Sequence, residues 1–227
     1  MTFAQTDEQR MLAETLDSAL VGGMDWSAAV EDTGVAALGS AEAAGGLGTD
    51  IRDAAVVAAA MGRANAMLPW AEFWVANRTQ GIDDPALVED ATTLLHCAET
   101  IGLCRVMLND AAHFAKERRQ FGVAIATFQA LRHRMVDMAM LLEQADAITD
   151  AAIRDFDGTS AAARARAVSG ARVMCADAAR VVGEGAVQVH GAMGLTADLR
   201  VGGYFRRARE LMQQDSGTAW HLRRYAA

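Results

Sequence analysis

Histidine and cysteine side chains, which could bind a metal or act as acid–base groups, are spread thinly along the chain. They are His96, His113, His133, His190 and His221, together with Cys97, Cys104 and Cys175. The H-x-x-x-H and C-x-x-C spacings of zinc sites do not occur, so no metal site is predicted. Cys97 and Cys104 would lie ~10 Å apart along one helix, too far for a disulfide, whose Cα atoms lie within about 7 Å. Free, buried thiols are therefore expected.

Two polar stretches carry a more specific pattern. The first, Lys116 to Met138, reads KERRQFGVAIATFQALRHRMVDM, and the second, Gln188 to Gly194, reads QVHGAMG and is followed by YFRRAR at 204–209. Together they resemble two segments of the C-terminal domain of acyl-CoA dehydrogenases: the joint between its first two helices, and the segment that approaches the adenosine half of the flavin. Residues 3–12 and 45–48 are similar to the family's opening helix and early loop.

The resemblance implies a set of residues that bind FAD. Arg118 would pair with the flavin pyrophosphate, because the planar fork of a guanidinium can bond two phosphate oxygens at once. The other implicated residues are Gln120, Phe121, Gln129, Gln188, Gly191, Gly194 and Thr218. Gln129 would reach the adenosine portion, and the glycines would allow the backbone to approach the cofactor closely. Ala192 replaces the second glycine of the family's usual pair.

The usual position of the family's catalytic base holds no glutamate. Dehydrogenation needs a carboxylate to remove the α-proton while hydride leaves the β-carbon for the flavin. In most of the family this glutamate precedes Gly-Thr near the C-terminus. Here the segment reads QDSGT, which places Ser216 at that position and Asp215 beside it. On a helix of 3.6 residues per turn, Asp215 would point about 100° away.

Other members of the family carry the base on the first helix of the C-terminal domain. The aligned region here holds Thr92 and Thr93, while Glu89 and Glu99 are out of register by several residues. We therefore predict that the chain has no catalytic base of its own, with Asp215 as the weak candidate.

Helices must position these residues. Thr6 and Gln9 have the form of a capping box and predict a helix over 7–21. Four later segments are also predicted to be helices, because apolar residues recur in them at spacings of three and four. They are about 90–117, Phe128 to the stop at Asp157-Gly158, about 160–182 and about 199–213. The predicted fold class is all-α: a short N-terminal helical part packed on an antiparallel four-helix bundle, with no sheet of more than two short strands.

The domain organisation follows from one break in this pattern. Residues 77–88 are polar and contain Gly81 and Pro85, which is typical of a linker. We expect an N-terminal helical domain over 1–80, a linker over 81–90 and a C-terminal bundle over 91–227. The family's middle β-domain, which holds the isoalloxazine ring and much of the acyl-CoA contact, has no room here. The resemblance therefore implies that FAD is shared with a partner subunit and is not held by this chain alone.

Composition narrows the classes of function. The formal charge of −8 gives no electrostatic footprint for a nucleic acid. The N-terminus lacks the pattern of a signal peptide, and no run is apolar enough to span a bilayer, so a soluble, cytoplasmic protein is expected. A hydrophobic content of 52% predicts that the long helices associate with another chain.

Three hypotheses about function remain open. The first is a non-catalytic subunit of a heteromeric FAD-dependent acyl-CoA dehydrogenase, which acts with a full-length partner on an acyl-CoA thioester. A bulky, steroid-type thioester is one candidate substrate. The second is a structural or interaction protein that keeps the bundle and binds no cofactor. The third is a flavin-free lyase or hydratase acting on a CoA thioester with Asp215, His190 or His221 as acid or base.

Overall fold

The structure, a computed structural model, describes residues 6–20, 25–40, 42, 45–191, 194 and 199–227. This part of the chain holds ten α-helices and one two-stranded hairpin. The helices are α1 (Asp7–Ala19), α2 (Trp26–Thr33), α3 (Val35–Gly39), α4 (Ile51–Ala64), α5 (Trp70–Arg78), α6 (Pro85–Glu117), α7 (Gln129–Arg154), α8 (Ala161–His190), α9 (Val201–Gln214) and α10 (Thr218–Ala226). The strands β1 (Arg119–Gln120) and β2 (Val123–Ala124) lie between α6 and α7, followed by a 3-10 turn over Ile125–Thr127.

The all-α fold class is confirmed, since the strands are two residues long and 80% of the described residues are helical. The predicted capping box is also present, because the Thr6 hydroxyl accepts from the Gln9 N–H while the Gln9 side chain accepts from the Thr6 N–H. Residues 3–5, Ala192 and Met193, on which part of the resemblance rests, lie outside the described residues.

The first helix of the bundle, α6, begins earlier than predicted. It starts at Pro85, and the Asp84 carboxylate caps the N–H of Leu87 at 3.0 Å. Proline is compatible with the first helical position, where its missing N–H needs no partner, so Pro85 starts this helix and does not mark a linker. Residues 85–90, which the sequence places in the linker, are therefore the first turns of α6, and the connection from α5 is residues 79–84. The three-part division of the chain stays a prediction.

Helix α8 continues eight residues beyond the predicted end at 182 and ends at His190. Gly183 and Gly185 suggest a break, but both allow close helix packing. A Cβ on Gly183 would lie 2.0 Å from the Phe205 ring, and one on Gly185 would lie 2.4 Å from the Met138 sulfur. Because these glycines have no side chain, α9 and α7 can pack closely against α8.

The N-terminal helices pack directly on the bundle through a close crossing of α4 and α6. A Cβ on Gly62 would lie 2.1 Å from the carbonyl oxygen of Glu99, and one on Gly102 would lie 2.2 Å from that of Ala59. Helix α5 is anchored on α4, since the buried Trp70 indole N–H donates to the Ala54 carbonyl at 2.9 Å.

The buried apolar side chains form two clusters that meet along α6. One joins α1, α4 and α5 to the first turns of α6, the end of α7 and the start of α8. The other lies inside the bundle of α6, α7, α8 and α9. Helix α10, which was not predicted, packs on α8. Among the described residues, no helix combines the length and apolar character needed to cross a bilayer.

Candidate functional site

A hairpin connects α6 to α7 and carries the first predicted group of cofactor-binding residues. Arg118 caps α6, and its N–H donates to the Phe114 carbonyl at 2.8 Å. Strands β1 and β2 pair antiparallel, Gln120 opposite Val123, so that Phe121 and Gly122 form the tip. Both tip residues have positive φ, 53° and 83°.

We define the hairpin surface as Arg118, Gln120, Phe121 and Gln129. All four side chains are exposed, and Phe121 is 91% exposed. The Phe121 ring meets the edge of Phe128 at a centroid distance of 6.2 Å, which places it beside the start of α7. Within the described residues, the Arg118 guanidinium has neither an ion pair nor a hydrogen bond. It is thus available to an external anion.

The end of α8 lies next to this hairpin. His190 stacks on Phe114 of α6 at 4.6 Å, and its Nδ1–H donates to the Ala186 carbonyl at 2.8 Å. Gln188 is exposed in the last turn of α8. Gly191 has φ 65° and ψ −147°, a conformation essentially restricted to glycine, and a Cβ there would meet nothing within 4 Å. Six of the predicted residues therefore lie at this end of the bundle, and Gly194 lies beside them, since a Cβ on it would be 3.1 Å from the Cβ of His190.

The two remaining predicted residues have different surroundings. Gly194 is buried, and a Cβ there would lie 2.9 Å from the Val187 carbonyl oxygen, so the close approach of this one residue to α8 already accounts for a glycine. Thr218 begins α10 and lines a cleft of about 200 Å³ with Arg180 and Arg209. Arg180 precedes Gln188 by eight residues, about 12 Å along α8 at ~1.5 Å per residue. Thr218 is thus apart from the hairpin surface.

A largely buried ionic cluster adjoins the turn where the family's base is expected. We call it the His96 cluster; its members are Glu72, His96, Arg172 and Asp215. His96 Nδ1 lies 3.0 Å from an Asp215 carboxylate oxygen, and His96 Nε2 lies 3.4 Å from Glu72. The Nε of the fully buried Arg172 lies 3.8 Å from Asp215, and its Nη2 donates to the Met212 carbonyl.

The charges of this cluster are strongly coupled. Burial alone would lower the pKa of His96, but the hydrogen bonds and charges of Asp215 and Glu72 raise it to about 9. The hydrogen bond from His96 lowers the pKa of Glu72. Nearby, Glu99 accepts from Arg207 at 2.7 and 3.2 Å, although burial raises its pKa. His96 is therefore a cation in the folded chain at neutral pH, held between two carboxylates.

Asp215 and Ser216 lie in a turn between α9 and α10, and not on a helix as the sequence argument assumed. Asp215 points inward to the His96 cluster. Ser216, with φ 44°, is exposed, and its hydroxyl donates to Glu89 on α6 at 2.9 Å. The Glu89 carboxylate thus lies beside the expected base position, which its register in the sequence did not suggest.

The three residues considered for a flavin-free lyase do not form one site, because His190 lies apart from the neighbouring Asp215 and His221. His221 is buried, with Nδ1 3.2 Å from the Ser169 hydroxyl and Nε2 3.2 Å from the Asp215 carbonyl. Burial and the Arg172 charge lower the pKa of His221. His190 lies with the predicted cofactor-binding residues at the end of α8. Over the described ranges, no three His, Cys, Asp or Glu side chains gather into a group that could hold a metal ion.

Comparison with known proteins agrees with this architecture. A family model described as "Acyl-CoA dehydrogenase, C-terminal domain" matches residues 90–219, more than half of the chain. The chain belongs to the acyl-CoA dehydrogenase family. It is a short form that lacks the middle domain, because only residues 79–84 separate α5 from α6.

The chain is similar in sequence to longer members of the acyl-CoA dehydrogenase family. It is 33% identical over 153 residues to acyl-CoA dehydrogenase IpdE2 of Mycolicibacterium smegmatis, a match that covers 67% of this chain and 47% of that one. The chain thus spans about half the length of this relative.

Two solved structures share the fold over nearly the whole chain. One is the ChsE4-ChsE5 complex from Mycobacterium tuberculosis, with a TM-score of 0.85, 16% identity, and coverage of 100% of this chain and 98% of that one. The other is a variant of the Tcur3481-Tcur3483 steroid ACAD, with a TM-score of 0.82, 16% identity and 97% coverage of each chain.

Proposed function

We propose that this chain is the non-catalytic subunit of a heteromeric FAD-dependent acyl-CoA dehydrogenase. A longer partner supplies the middle domain and the base, and this chain completes the partner's flavin site with the hairpin surface and the end of α8. The proposal extends to a cytoplasmic complex acting on an acyl-CoA thioester. A steroid-type acyl group is favoured because one structural neighbour is named a steroid ACAD.

The observation that carries the proposal is the exposed Arg118, which has no partner among the described residues and lies at the same end of the bundle as Gln120, Gln129 and Gln188. These side chains can bond a phosphate and the hydroxyl and nitrogen atoms of an adenosine. A hollow of about 390 Å³ adjoins this end of the bundle, lined in part by Phe114 and His190. The residues present therefore fit the diphosphate and adenosine part of FAD, and nothing in the set addresses the ring.

When bound in the complex, the flavin would accept the hydride from the acyl β-carbon. The residues of this chain would act only on the cofactor's far end. Arg118 would pair with the pyrophosphate charge, and Gly191 would allow the backbone to approach without a side chain in between. Orientation of the cofactor, and not proton transfer, is the contribution of this subunit.

The assignment of the base to the partner rests on the His96 cluster. Asp215 is fixed by His96 and Arg172, so its oxygens are not turned toward a substrate. Ser216 cannot remove an α-proton, since the hydroxyl is a weak base and is engaged with Glu89. Glu89 is the residue of this chain whose substitution tests the assignment most directly.

The test is to express the chain alone and together with a candidate longer subunit, a full-length acyl-CoA dehydrogenase-like protein from the same organism. Alone the chain should be colourless, and the complex should be yellow with fewer flavins than chains. Arg118→Ala should weaken FAD binding about 10- to 150-fold, as expected for a charge-assisted hydrogen bond of about 1.5 to 3 kcal/mol. Arg223→Ala, an exposed arginine on α10, is the matched control and should leave FAD binding unchanged.

Turnover of the complex tests the location of the base. Ser216→Ala and Glu89→Gln should leave kcat within about twofold, because the proton is removed by the partner. Loss of turnover in Glu89→Gln, with FAD content intact, would place a base in this chain. A colourless complex would instead favour the interaction protein that binds no cofactor.

A further inference from the structure

The hollow of about 390 Å³ lies between α6, the end of α8 and the start of α9, and contacts within the chain hold its walls. On one side the His190 ring stacks on Phe114 at 4.6 Å. On the other side Arg200 donates two hydrogen bonds of 2.7 Å to the Asp110 carboxylate. The volume falls in the range of about 300 to 1,000 Å³ that is usual for small-molecule sites. The hollow is therefore formed without a partner subunit.

A buried hydrogen-bond acceptor in this hollow has no partner. The Ala186 carbonyl can only accept, so its 2.8 Å bond with His190 fixes the proton of the neutral ring on Nδ1 and leaves Nε2 as an acceptor. No described residue bonds Nε2, although His190 is only 8% exposed. Buried polar atoms in folded proteins nearly always have a hydrogen-bond partner. The unpaired Nε2 thus indicates a place for a donor from outside the chain.

The surroundings of Nε2 suit a purine base whose diphosphate is directed outward. Phe114, Leu199 and Val201 supply apolar surface in the same hollow. Adenine carries one donor, its amino group, and its ring nitrogens are acceptors, so the amino group is the part of the base that can bond Nε2. Arg118 follows Glu117, which lines the hollow, and its exposed guanidinium can bond a diphosphate.

We propose that this chain alone binds the adenosine 5′-diphosphate moiety, with the adenine amino group on His190 Nε2 and the diphosphate on Arg118. The hollow and Arg118 together form what we call the half-site. Free adenine nucleotides then compete with FAD for the half-site before the subunits assemble. The identity of FAD as the competing ligand rests on the proposed function. Since nothing in the half-site addresses the isoalloxazine ring, the isolated chain should bind ADP and FAD equally well.

Coenzyme A carries the same moiety with an added 3′-phosphate and is the other source of it. The Glu117 carboxylate lines the hollow, and its side chain is 68% exposed. A carboxylate beside the nucleoside disfavours an additional phosphate charge. We therefore expect coenzyme A to bind no more tightly than ADP. Binding of coenzyme A more than about tenfold tighter than ADP would assign the hollow to the substrate and contradict the proposal.

Calorimetric titration of the purified chain at low salt tests the class of ligand. ADP and FAD should bind at one site per chain, with Kd values on the order of 0.1 to 1 mM that agree within about threefold. Flavin mononucleotide, which lacks the adenosine, should show no binding below ~10 mM. Arg118→Ala should weaken ADP binding at least about tenfold, and Arg223→Ala should leave it unchanged. Absence of ADP binding, or FAD bound far more tightly than ADP, would overturn the proposal.

Removal of one group from each side tests the contact with His190. Purine riboside 5′-diphosphate, which lacks only the amino group, should bind the unchanged chain about 2- to 13-fold more weakly than ADP. In His190→Phe, which keeps a ring against Phe114 but has no acceptor, the two nucleotides should bind equally. His113→Gln, at a side chain 73% exposed, should preserve the difference. Equal binding of both nucleotides by the unchanged chain would refute the contact, whether or not His190→Phe folds.

Competition is measured while the two subunits assemble with FAD. ADP at about ten times its Kd should slow FAD uptake about tenfold, whereas flavin mononucleotide at the same concentration should not. An unchanged rate of uptake would contradict the competition.

The outcomes separate this proposal from the proposed function. If the isolated chain does not bind ADP but Arg118→Ala loses FAD from the complex, the proposed function stands and the nucleotide site fails. If Arg118→Ala weakens ADP binding by the isolated chain but leaves the FAD content of the complex intact, the nucleotide site stands and the flavin role fails.

Discussion

Replacement of His96 by glutamine should destabilise the chain strongly at pH 6 and weakly at pH 10. The imidazole is 4% exposed and lies between Asp215 and Glu72. Its pKa is about 9 in the folded chain, above the ordinary 6.5. The folded state therefore binds the proton more tightly than the unfolded chain, so the stabilisation is complete below about pH 6.5 and is lost as the pH rises through about 9.

The size of the effect follows from this difference. One pKa unit corresponds to ~1.4 kcal/mol, so a rise from 6.5 to about 9 sets an upper bound between about 3 and 4 kcal/mol. Glu72 is 57% exposed, so solvent screens its part of the interaction with His96. We therefore expect His96→Gln to destabilise the chain by about 2 to 3 kcal/mol at pH 6. Asp215, which is 9% exposed, contributes the larger part.

Urea unfolding of both proteins at pH 6, 7.5, 9 and 10 provides the measurement. The chain is suited to this range because Lys116 is its only lysine, and the arginines stay charged. Contributions of other groups, including the buried His221, are common to both proteins and cancel in the difference. His113→Gln, at a side chain 73% exposed, should change stability by less than about 0.5 kcal/mol. A stability difference for His96→Gln that is constant from pH 6 to 10 would refute the reasoning.

Two further predictions concern the junction of the helices. Gly102→Ala should lower the unfolding free energy by about 1 to 3 kcal/mol in chemical denaturation, because the new Cβ would meet the Ala59 carbonyl oxygen, whereas Gly158→Ala, with open space around it, should change little. Asp90→Ala should cost about 3 to 5 kcal/mol in the same assay, because it removes the carboxylate at 3.1 Å from the buried Arg164 and leaves that guanidinium the more distant Asp84 at 3.8 Å.

The long helices were predictable because their apolar residues repeat locally. Spacings of three and four over α6 and α7 need no knowledge of the rest of the chain, and the Thr6 cap is a contact across three residues. The end of α8 was missed because Gly183 acts through Phe205, which lies on another helix. Helix α10 was missed because it has only nine residues, too few for a clear repeat.

The candidate site likewise contains some contacts that the sequence could predict and others that it could not. Phe121 and Arg118 are close in the sequence, so the resemblance brought them together without a fold. The contact of His96 with Asp215 joins positions 119 residues apart, and no local pattern reports it. Glu89 and Ser216, 127 residues apart, are a similar case. Pairings of this kind depend on how α6 crosses the turn after α9, which only the folded chain defines.

The connection between α5 and α6 has a consequence for the way this architecture can be remodelled. Residues 79–84 run along the surface, and Gly81 has φ 79° with open space around its Cβ position. Insertions are best tolerated where the backbone is exposed and few contacts cross. An extra module spliced in at Gly81 would leave both apolar clusters and the Asp84 cap of α6 in place. The long and short architectures can thus interconvert by gain or loss of an insert at a permissive loop, without a redesign of the helical scaffold.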